Sequence, residues 1–299
     1  MSAIRAYFYL LLAVILYAGN ILVGKAVAAS FPPVTLAFGR VLVALIAVVC
    51  LFGHAAYRQR HLLMQQWRGL LAVALSGVAL FNVFVYSALQ YTSATNVAVL
   101  ESGVPVITAL CMAAFYAERL KWRQWLGIVL SVTGAAWVVS SGDLGELFEQ
   151  ANRGDLLMLF AVCAWVGYSF TIRRWLVGLP TYATLVPLMA LAAVILAPMA
   201  LAENLLTTQS WSLNAEALMA LLYLGLGPSL IAFVAYNRAV LLVGPSRSAV
   251  LLNLLPLVTM AGGYWWLGAP VTLVQIMGAL VVVAGVTLVV FERRVSRPS

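Results

Sequence analysis

Three residues near the N-terminus are spaced as in proteins that bind phosphate. Gly19, Gly24 and Lys25 fit the pattern G-x-x-x-x-G-K of a P-loop, whose glycine-rich backbone cradles a nucleotide. A P-loop needs Ser or Thr next, to hold Mg²⁺, and this chain has Ala26. The residues around the match are apolar, so we predict a membrane helix here and no nucleotide site. Asn20, an unspecified position of the motif, is the residue of interest.

Two charged side chains, Arg40 and Glu101, stand inside long apolar runs, where each charge costs a few kcal/mol or more. At 1.5 Å per residue, they lie about 10 Å and about 9 Å from the same membrane boundary, so we expect them to be partners. In one interpretation Glu101 binds a substrate amine or exchanges a proton, while Arg40 releases and recaptures it. In the other, the two form a permanent ion pair that holds two helices together. Lys25, near the end of the first run, is predicted to extend to the interface.

Polar and aromatic side chains recur in the same runs. Asn82, Tyr86 and Gln90 follow one another at intervals of four, which places them on one helix face that lipid would reject. The predicted lining of a translocation pathway is Tyr17, Asn20, Arg40, Asn82, Tyr86, Glu101, Trp165, Tyr168, Tyr236 and Asn253. The alternative for the aromatic residues is interfacial anchoring or core packing. For the three asparagines it is hydrogen bonding between helices.

Such a lining has a chemical preference. An aromatic cage with few charges suits amphipathic or zwitterionic solutes with apolar side chains, including cationic groups held over ring faces. The chain has two histidines, His54 and His61, and both lie in one short connection. Their spacing does not match a zinc site of the H-E-x-x-H type. We therefore expect no metal and no cofactor.

The composition indicates where these residues reside. Of 299 residues, 64% are hydrophobic and only 9% are charged, with a mean hydropathy of +1.03. A soluble domain of this length could not cover its surface with so few charges. The lipid bilayer is therefore the expected surrounding. The net charge of +8 could indicate nucleic acid, but the basic residues are scattered between apolar runs, so no nucleic-acid partner is expected.

Ten apolar runs have the length of about 20 residues that crosses the hydrocarbon core. They are predicted at 7–29, 33–53, 68–91, 95–116, 121–140, 154–176, 181–202, 215–243, 246–267 and 271–291. The connections between them carry turn-forming stretches such as "SFPP", "VGLPT" and "LGAP".

The distribution of Lys and Arg predicts the orientation, because cytoplasmic loops are enriched in both. With the N-terminus inside, the cytoplasmic segments hold Arg5, Arg58, Arg60, Arg68, Arg119, Lys121, Arg123, Arg173, Arg174, Arg238, Arg247, Arg293, Arg294 and Arg297. The opposite loops hold Arg153 beside several acidic residues. Both termini are therefore predicted in the cytoplasm, in a bacterial inner membrane.

The chain repeats itself internally. The stretch "ALQYTSATNVAVLESGVPVIT" from Ala88 aligns without a gap on "AVLLVGPSRSAVLLNLLPLVT" from Ala239, and "LLLAVILYAGNILVGK" aligns on "LMLFAVCAWVGYSFTIR". Residues 1–143 and 144–299 are the two predicted repeats. Each holds five spans, an odd number, so the second copy is inverted. Inverted repeats are typical of secondary transporters that expose a midplane site alternately to each side.

The stretches "GNILVGKAVAASFPPVTLAFGR" and "AERLKWRQWLGIVLSVTGAAWVV" and the last two spans resemble the drug/metabolite transporter superfamily, in its ten-helix EamA-type branch. The resemblance implies an all-α integral membrane protein with helices 1–4 and 6–9 around a central cavity and helices 5 and 10 bracing it. It also implies export of amino acids, related metabolites or drugs. One departure is that Glu118, before the fifth helix, has Ala269 as its counterpart.

The leading hypothesis is a secondary transporter that exports small metabolites, amino acids or related compounds, and not an enzyme. Proton coupling through Glu101 and uncoupled facilitated diffusion both remain open. An internal two-fold axis makes a monomer sufficient. Drug efflux is the alternative within the same fold, although the first helix lacks the acid that small multidrug exporters place there. An intramembrane enzyme acting on lipid-linked substrates is a further alternative, but no catalytic cluster is visible.

Overall fold

The computed structural model describes residues 2–104, 106–107, 110–111, 121–139, 142–143, 152–176, 178–207, 211–243, 251–252 and 254–292. Within these ranges the secondary structure is helical, and a helix lies in each of the ten predicted spans. The protein is an all-α membrane protein. The helices are α1 Ser2–Val27, α2 Pro33–Arg58, α3 Trp67–Tyr91, α4 Ala94–Ser102, α5 Trp122–Val139, α6 153–176, α7 Thr181–Leu206, α8 215–243, α9 Leu255–Leu267 and α10 Leu273–Glu292.

Five of these helices are long and apolar enough to cross a bilayer by length and composition alone: Ile4–Val27, Pro33–Arg58, Trp67–Tyr91, Thr181–Leu206 and Ala215–Tyr236. Helix α2 continues to Arg58, past the predicted end of its span at residue 53. The stretch "HAAYR" was predicted as a connection, but Ala and Arg are strong helix formers, so it extends the helix. A short helix, Arg60–Gln65, then leads into α3.

In the described ranges, three helices contain π-helical turns. They occupy Ala74–Leu80 in α3, Ile172–Leu176 at the end of α6 and Gly227–Ala232 in α8. Helices α3 and α8 are the third members of the two predicted repeats, so the distortion recurs at corresponding places. Such turns widen the helix locally and are frequent at functional sites.

The helices pack in pairs that a two-fold operation exchanges. Helix α1 packs on α8 and α9, and its counterpart α6 packs on α3 and α4. Helices α2 and α7, α4 and α9, and α5 and α10 each pack on their own counterpart. This pattern is expected of two five-helix repeats related by a pseudo-two-fold axis. The boundary between residues 143 and 144 stays a prediction, because residues 144–151 lie outside the described ranges.

Helices α5 and α10 pack through small residues. A Cβ atom on Gly134 would lie 2.9 Å from the carbonyl oxygen of Gly278, and one on Gly285 would lie 2.6 Å from that of Gly127. Both contacts are with backbone atoms, which cannot turn away as a side chain can. Close backbone approach of this kind holds membrane helices together by dispersion, since lipid offers no hydrophobic drive.

Replacing Gly285 by Ala is therefore expected to weaken the α5–α10 pair. The added methyl overpacks a contact that costs about 1–3 kcal/mol to relieve, which corresponds to a loss of several degrees in Tm. Thermal unfolding in detergent measures the effect. The matched control is Gly167→Ala, because no atom lies within 4 Å of a Cβ at that position. Equal Tm values for the two variants would contradict the assigned packing.

Candidate functional site

The Arg40 guanidinium lies in the interior, with 6% of the residue exposed, and bonds to side chains of three other helices. Its Nη1 donates to Asn20 Oδ1 at 2.8 Å and to Asn82 Oδ1 at 2.7 Å. Nη1 also donates to the Tyr86 hydroxyl, and Nη2 donates to Ser229 Oγ at 2.6 Å. The Tyr86 hydroxyl donates in turn to Asn20 Oδ1 at 2.9 Å. We call these five residues the Arg40 network. It joins α1, α2, α3 and α8.

Every acceptor in the Arg40 network is a neutral oxygen, and this corrects the expected ion pair. Arg40 acts on the Glu101 carboxylate only through space; among the described residues, no N···O contact of 4.0 Å or less joins the two. Among the residues that the structure describes, Arg40 Nε has no hydrogen-bond partner. The expectation that the two residues are partners came from their similar distances along their helices, and they do not pair directly. The positive charge of Arg40 is therefore stabilised by neutral dipoles, and the Glu101 carboxylate is not paired with it.

Backbone features of α8 bring Ser229 to Arg40. A Cβ on Gly225 would lie 2.9 Å from the Arg40 carbonyl oxygen and 2.6 Å from Val43, so only glycine permits this approach of α8 to α2. Ser229 follows about one turn later, in the π-helical turn, and donates to the Leu224 carbonyl at 2.9 Å. That bond leaves the Ser229 oxygen free to accept from Arg40. Ser229 was not predicted, although a lone serine after Pro228 in an apolar run was a usable signal.

Helix α3 supplies two network members from one face. Asn82 Nδ2 donates to the Val78 carbonyl at 2.7 Å, which orients its Oδ1 toward Arg40. Tyr86 lies one turn later, and the Arg40 Cζ atom is 5.6 Å from its ring centroid. Gln90 continues the stripe but donates to the Ala28 carbonyl at the end of α1. The predicted polar stripe thus faces the interior, with its first two members on Arg40.

Aromatic side chains form a wall beside the network. The rings of Trp165 and Tyr168 are 4.8 Å apart, and Trp165 is 4.7 Å from Phe81. A Cβ on Gly77 would lie 2.1 Å from the Tyr168 ring, so glycine in α3 makes room for that ring. Phe81 was not among the predicted residues.

Tyr17 connects the wall to the charged groups. Its hydroxyl lies within electrostatic range of four other predicted residues, Tyr168, Tyr236, Glu101 and Arg40. Glu101 is half-buried in the last turn of α4, before the break at Gly103. The structure therefore brings nine of the ten predicted residues into one region. The tenth, Asn253, lies outside the described residues.

Polar contacts also join helices on the side where α1 ends and α2 begins, which we call the distal side. Glu203, at the end of α7, accepts from the Val34 and Thr35 N–H groups at 3.0 and 2.7 Å and from the Thr35 hydroxyl at 2.8 Å. Thr92 donates to the buried Asp155 at 2.8 Å, which joins α3 to α6. Helix starts favour such acids, because their first N–H groups are unpaired.

Lys25 belongs to these distal contacts. Its Nζ donates to the carbonyls of Leu89 and Thr92, each at 2.8 Å. The last carbonyls of a helix lack intrahelical partners, so they attract a nearby ammonium. The extension of Lys25 to the interface stays a prediction.

A cavity of about 480 Å³ lies at the C-terminal part of α6. It is lined by Cys111, Val166, Gly167, Phe170, Thr171, Arg174 and Trp175. That volume is within the range of sites for small molecules. In the described ranges, no three His, Cys, Asp or Glu side chains gather closely enough to hold a metal ion.

The chain is similar to known transporters in sequence and to a solved structure in fold. The profile of the EamA-like transporter family matches residues 4–140 and 152–291. A solved crystal structure superposes with a TM-score of 0.65 over 98% of both chains at 18% identity, which is a likeness of fold.

Three curated relatives are similar over most of their length. An uncharacterized transporter of Archaeoglobus fulgidus is 29% identical over 75% of this chain and 76% of its own. A probable terminal-alkyne amino-acid exporter of Streptantibioticus cattleyicolor is 26% identical over 72% and 70%. A probable amino-acid metabolite efflux pump of Salmonella typhimurium is 25% identical over 72% and 73%.

The Arg40 network makes a prediction about stability. Asn82→Leu removes an acceptor and sets a methyl group against a buried cation, which we expect to cost about 1–3 kcal/mol. In an Arg40→Met background the same change is expected to cost little, because no buried charge remains to be satisfied. Thermal unfolding of the two single variants and the double variant gives the coupling. Equal costs of Asn82→Leu in both backgrounds would show that Asn82 does not support Arg40.

Proposed function

The chain belongs to the EamA-like transporter family, and from that premise we propose that it is a secondary transporter that exports amino acids or related small metabolites by alternating access. One observation carries the choice of substrate class. A buried guanidinium with an unpartnered N–H lies in electrostatic range of an acid with which it forms no ion pair. Tyr17 lies in electrostatic range of both groups and of Tyr168 in the aromatic wall. Opposite charges held apart beside apolar rings suit a solute that itself carries both charges and an apolar side chain.

The curated relatives support this substrate class. Two of them are named as a probable amino-acid exporter and a probable amino-acid metabolite efflux pump. At about a quarter identity, the names support the class of solute and leave its side chain open. The aromatic wall favours apolar side chains over charged ones.

The arrangement of the helices supports alternating access. A pseudo-two-fold axis lets the two repeats exchange conformations and so expose one site to either side in turn. The contacts of Glu203, Asp155 and Lys25 hold the distal side together, and the cavity beside Phe170 lies away from them. We assign this state as closed on the distal side. Because each chain holds its own two-fold axis, a monomer is sufficient for transport.

The basic loops support a location in a bacterial inner membrane with both termini in the cytoplasm. In this orientation the distal side is outside, and the cavity faces the cytoplasm, where an exporter loads its solute.

Glu101 is the proposed site of proton exchange. No ion pair to Arg40 holds its carboxylate, so the carboxylate is available to a proton or to a cationic group. The charged and titratable groups in range are Arg40, Tyr17 and Tyr86. An inward flow of protons through such a group would drive export of the solute.

Counterflow in proteoliposomes tests the transport function. Vesicles loaded with unlabelled L-leucine are expected to accumulate external tracer L-leucine severalfold above protein-free vesicles, because a carrier exchanges its solute across the membrane. L-Phenylalanine, L-lysine and L-glutamate complete the panel, and the aromatic wall predicts that the two apolar solutes are preferred. Absence of exchange for all four would refute the proposed substrate class.

Proton coupling has a separate readout. An acidic exterior is expected to accelerate L-leucine efflux from vesicles that contain the wild-type protein, and Glu101→Gln is expected to abolish this acceleration. The ratio of rates with and without the pH gradient is compared, so that weaker binding alone does not change the result. Glu216→Gln, an exposed acid in the first turn of α8, is the matched control and should keep the acceleration. An unchanged ratio in Glu101→Gln would assign the protein to facilitated diffusion.

A further inference from the structure

One edge of the Arg40 guanidinium has donors without acceptors. A guanidinium has five N–H donors in a rigid fork. Nη1 is occupied by Asn20, Asn82 and Tyr86, and Ser229 uses one of the two hydrogens of Nη2. Nε is buried and has no hydrogen-bond partner in the described part of the chain. Nε–H and the second Nη2–H therefore remain, and a carboxylate binds such a pair through two parallel hydrogen bonds.

The network orients this edge and leaves its charge uncompensated. All four acceptors are neutral, so they satisfy N–H groups without cancelling the positive charge. A buried cation without a counterion is costly in an apolar interior. The free-energy cost of burying this charge is explained if an anion binds at the site during the transport cycle.

Glu101 is an acid in electrostatic range of Arg40, and the two form no ion pair. Tyr17 lies in range of both. An α-amino acid carries its ammonium and its carboxylate on one carbon. With charge-assisted bonds of about 2.8 Å at each end, such a solute can join an acid and a base that do not pair with each other.

We propose, on the basis of the transport function above, that Arg40 and Glu101 form a two-charge clamp for a zwitterion. The Nε–Nη2 edge of Arg40 binds the carboxylate of an α-amino acid, and Glu101 binds its ammonium. The wall of Phe81, Trp165 and Tyr168 receives an apolar side chain. Arg40 is thus a substrate-binding residue, in contrast to a group that only releases and recaptures Glu101.

Charge balance selects a zwitterion over a singly charged solute. Arg40 and Glu101 together have no net charge when both are ionised. A zwitterion pairs with both residues and keeps the net charge of the site at zero. A lone amine or a lone carboxylate adds a charge to the membrane interior and leaves one member of the clamp unpaired. Unpaired buried charges are far more costly than paired ones. The clamp should therefore require both ends of the solute.

Three solutes with one side chain test this requirement on the wild-type protein. L-Leucine has both charges, isoamylamine lacks the carboxylate, and isocaproate lacks the ammonium. Each competes with tritiated L-leucine for the purified protein in detergent. Each analogue is expected to bind about tenfold to a hundredfold more weakly than L-leucine, because it loses one set of charge-assisted bonds.

Two variants assign the ends of the solute. In Arg40→Met, L-leucine should bind no better than isoamylamine, because the carboxylate has lost its partner. In Glu101→Gln, L-leucine should bind no better than isocaproate. Arg40→Lys keeps the charge but not the fork, so it should recover only part of the affinity. A residue with a merely structural role would lower the affinity for all three solutes together. Size-exclusion chromatography and Tm identify variants that are not folded, and the wild-type comparison stands without them.

The outcomes separate the two proposals. If L-leucine binds and both analogues lose affinity, the clamp is supported. If L-leucine binds and either analogue binds equally well, the clamp is wrong, while amino-acid transport stands. If L-leucine does not bind and one analogue does, both the clamp and the proposed amino-acid substrate are wrong. If none of the three solutes binds, the clamp and the proposed amino-acid substrate are likewise both wrong.

Discussion

A positive charge held among neutral oxygens in an apolar interior is the constraint on which the rest of this protein depends. The guanidinium of Arg40 needs acceptors from several directions at once, and α1, α3 and α8 each supply at least one. The helices that meet at Arg40 must therefore keep a fixed azimuth as well as a fixed depth. Gly225 allows α8 to come close enough, and the π-helical turn presents Ser229 there.

The frame is symmetric, but the charges are not. Helices α2 and α7 both contain 26 residues and pack on each other across the pseudo-two-fold axis. Arg40 lies in the second turn of α2, and the corresponding position of α7 is the apolar Leu188. A symmetric frame lets the two repeats exchange conformations at small cost. A single charged site within it gives the solute one defined binding position.

Tight packing and polar contacts stabilise different regions of the protein. Helices α5 and α10 approach through glycines whose neighbours are backbone atoms, which leaves little freedom to move. The distal contacts of Glu203, Asp155 and Lys25 are hydrogen bonds to helix ends and to hydroxyl groups, and these exchange readily with water. A rigid pair beside separable contacts is a suitable arrangement for a protein whose halves rock against each other.

The sequence alone was sufficient to predict the fold class and the repeat, and it indicated which side chains lie together in the interior. Span length, the odd number of spans per repeat and the cost of polar groups in lipid are one-dimensional properties, so they can be read along the chain. Depth in the membrane is also a one-dimensional property, and the equal depth of Arg40 and Glu101 stays a prediction. The use of these residues as a binding site remains our proposal.

Only the tertiary structure decided which groups meet. The rotation of each helix about its axis depends on packing against its neighbours, and no residue spacing along one chain segment specifies it. For this reason Arg40 bonds to Ser229, which the sequence did not single out, and not to Glu101. Lys25 donates to carbonyls at the end of α3 for the same reason. The sequence by itself determined which polar groups lie within the apolar helices, and the packing of the helices determined which of them face one another.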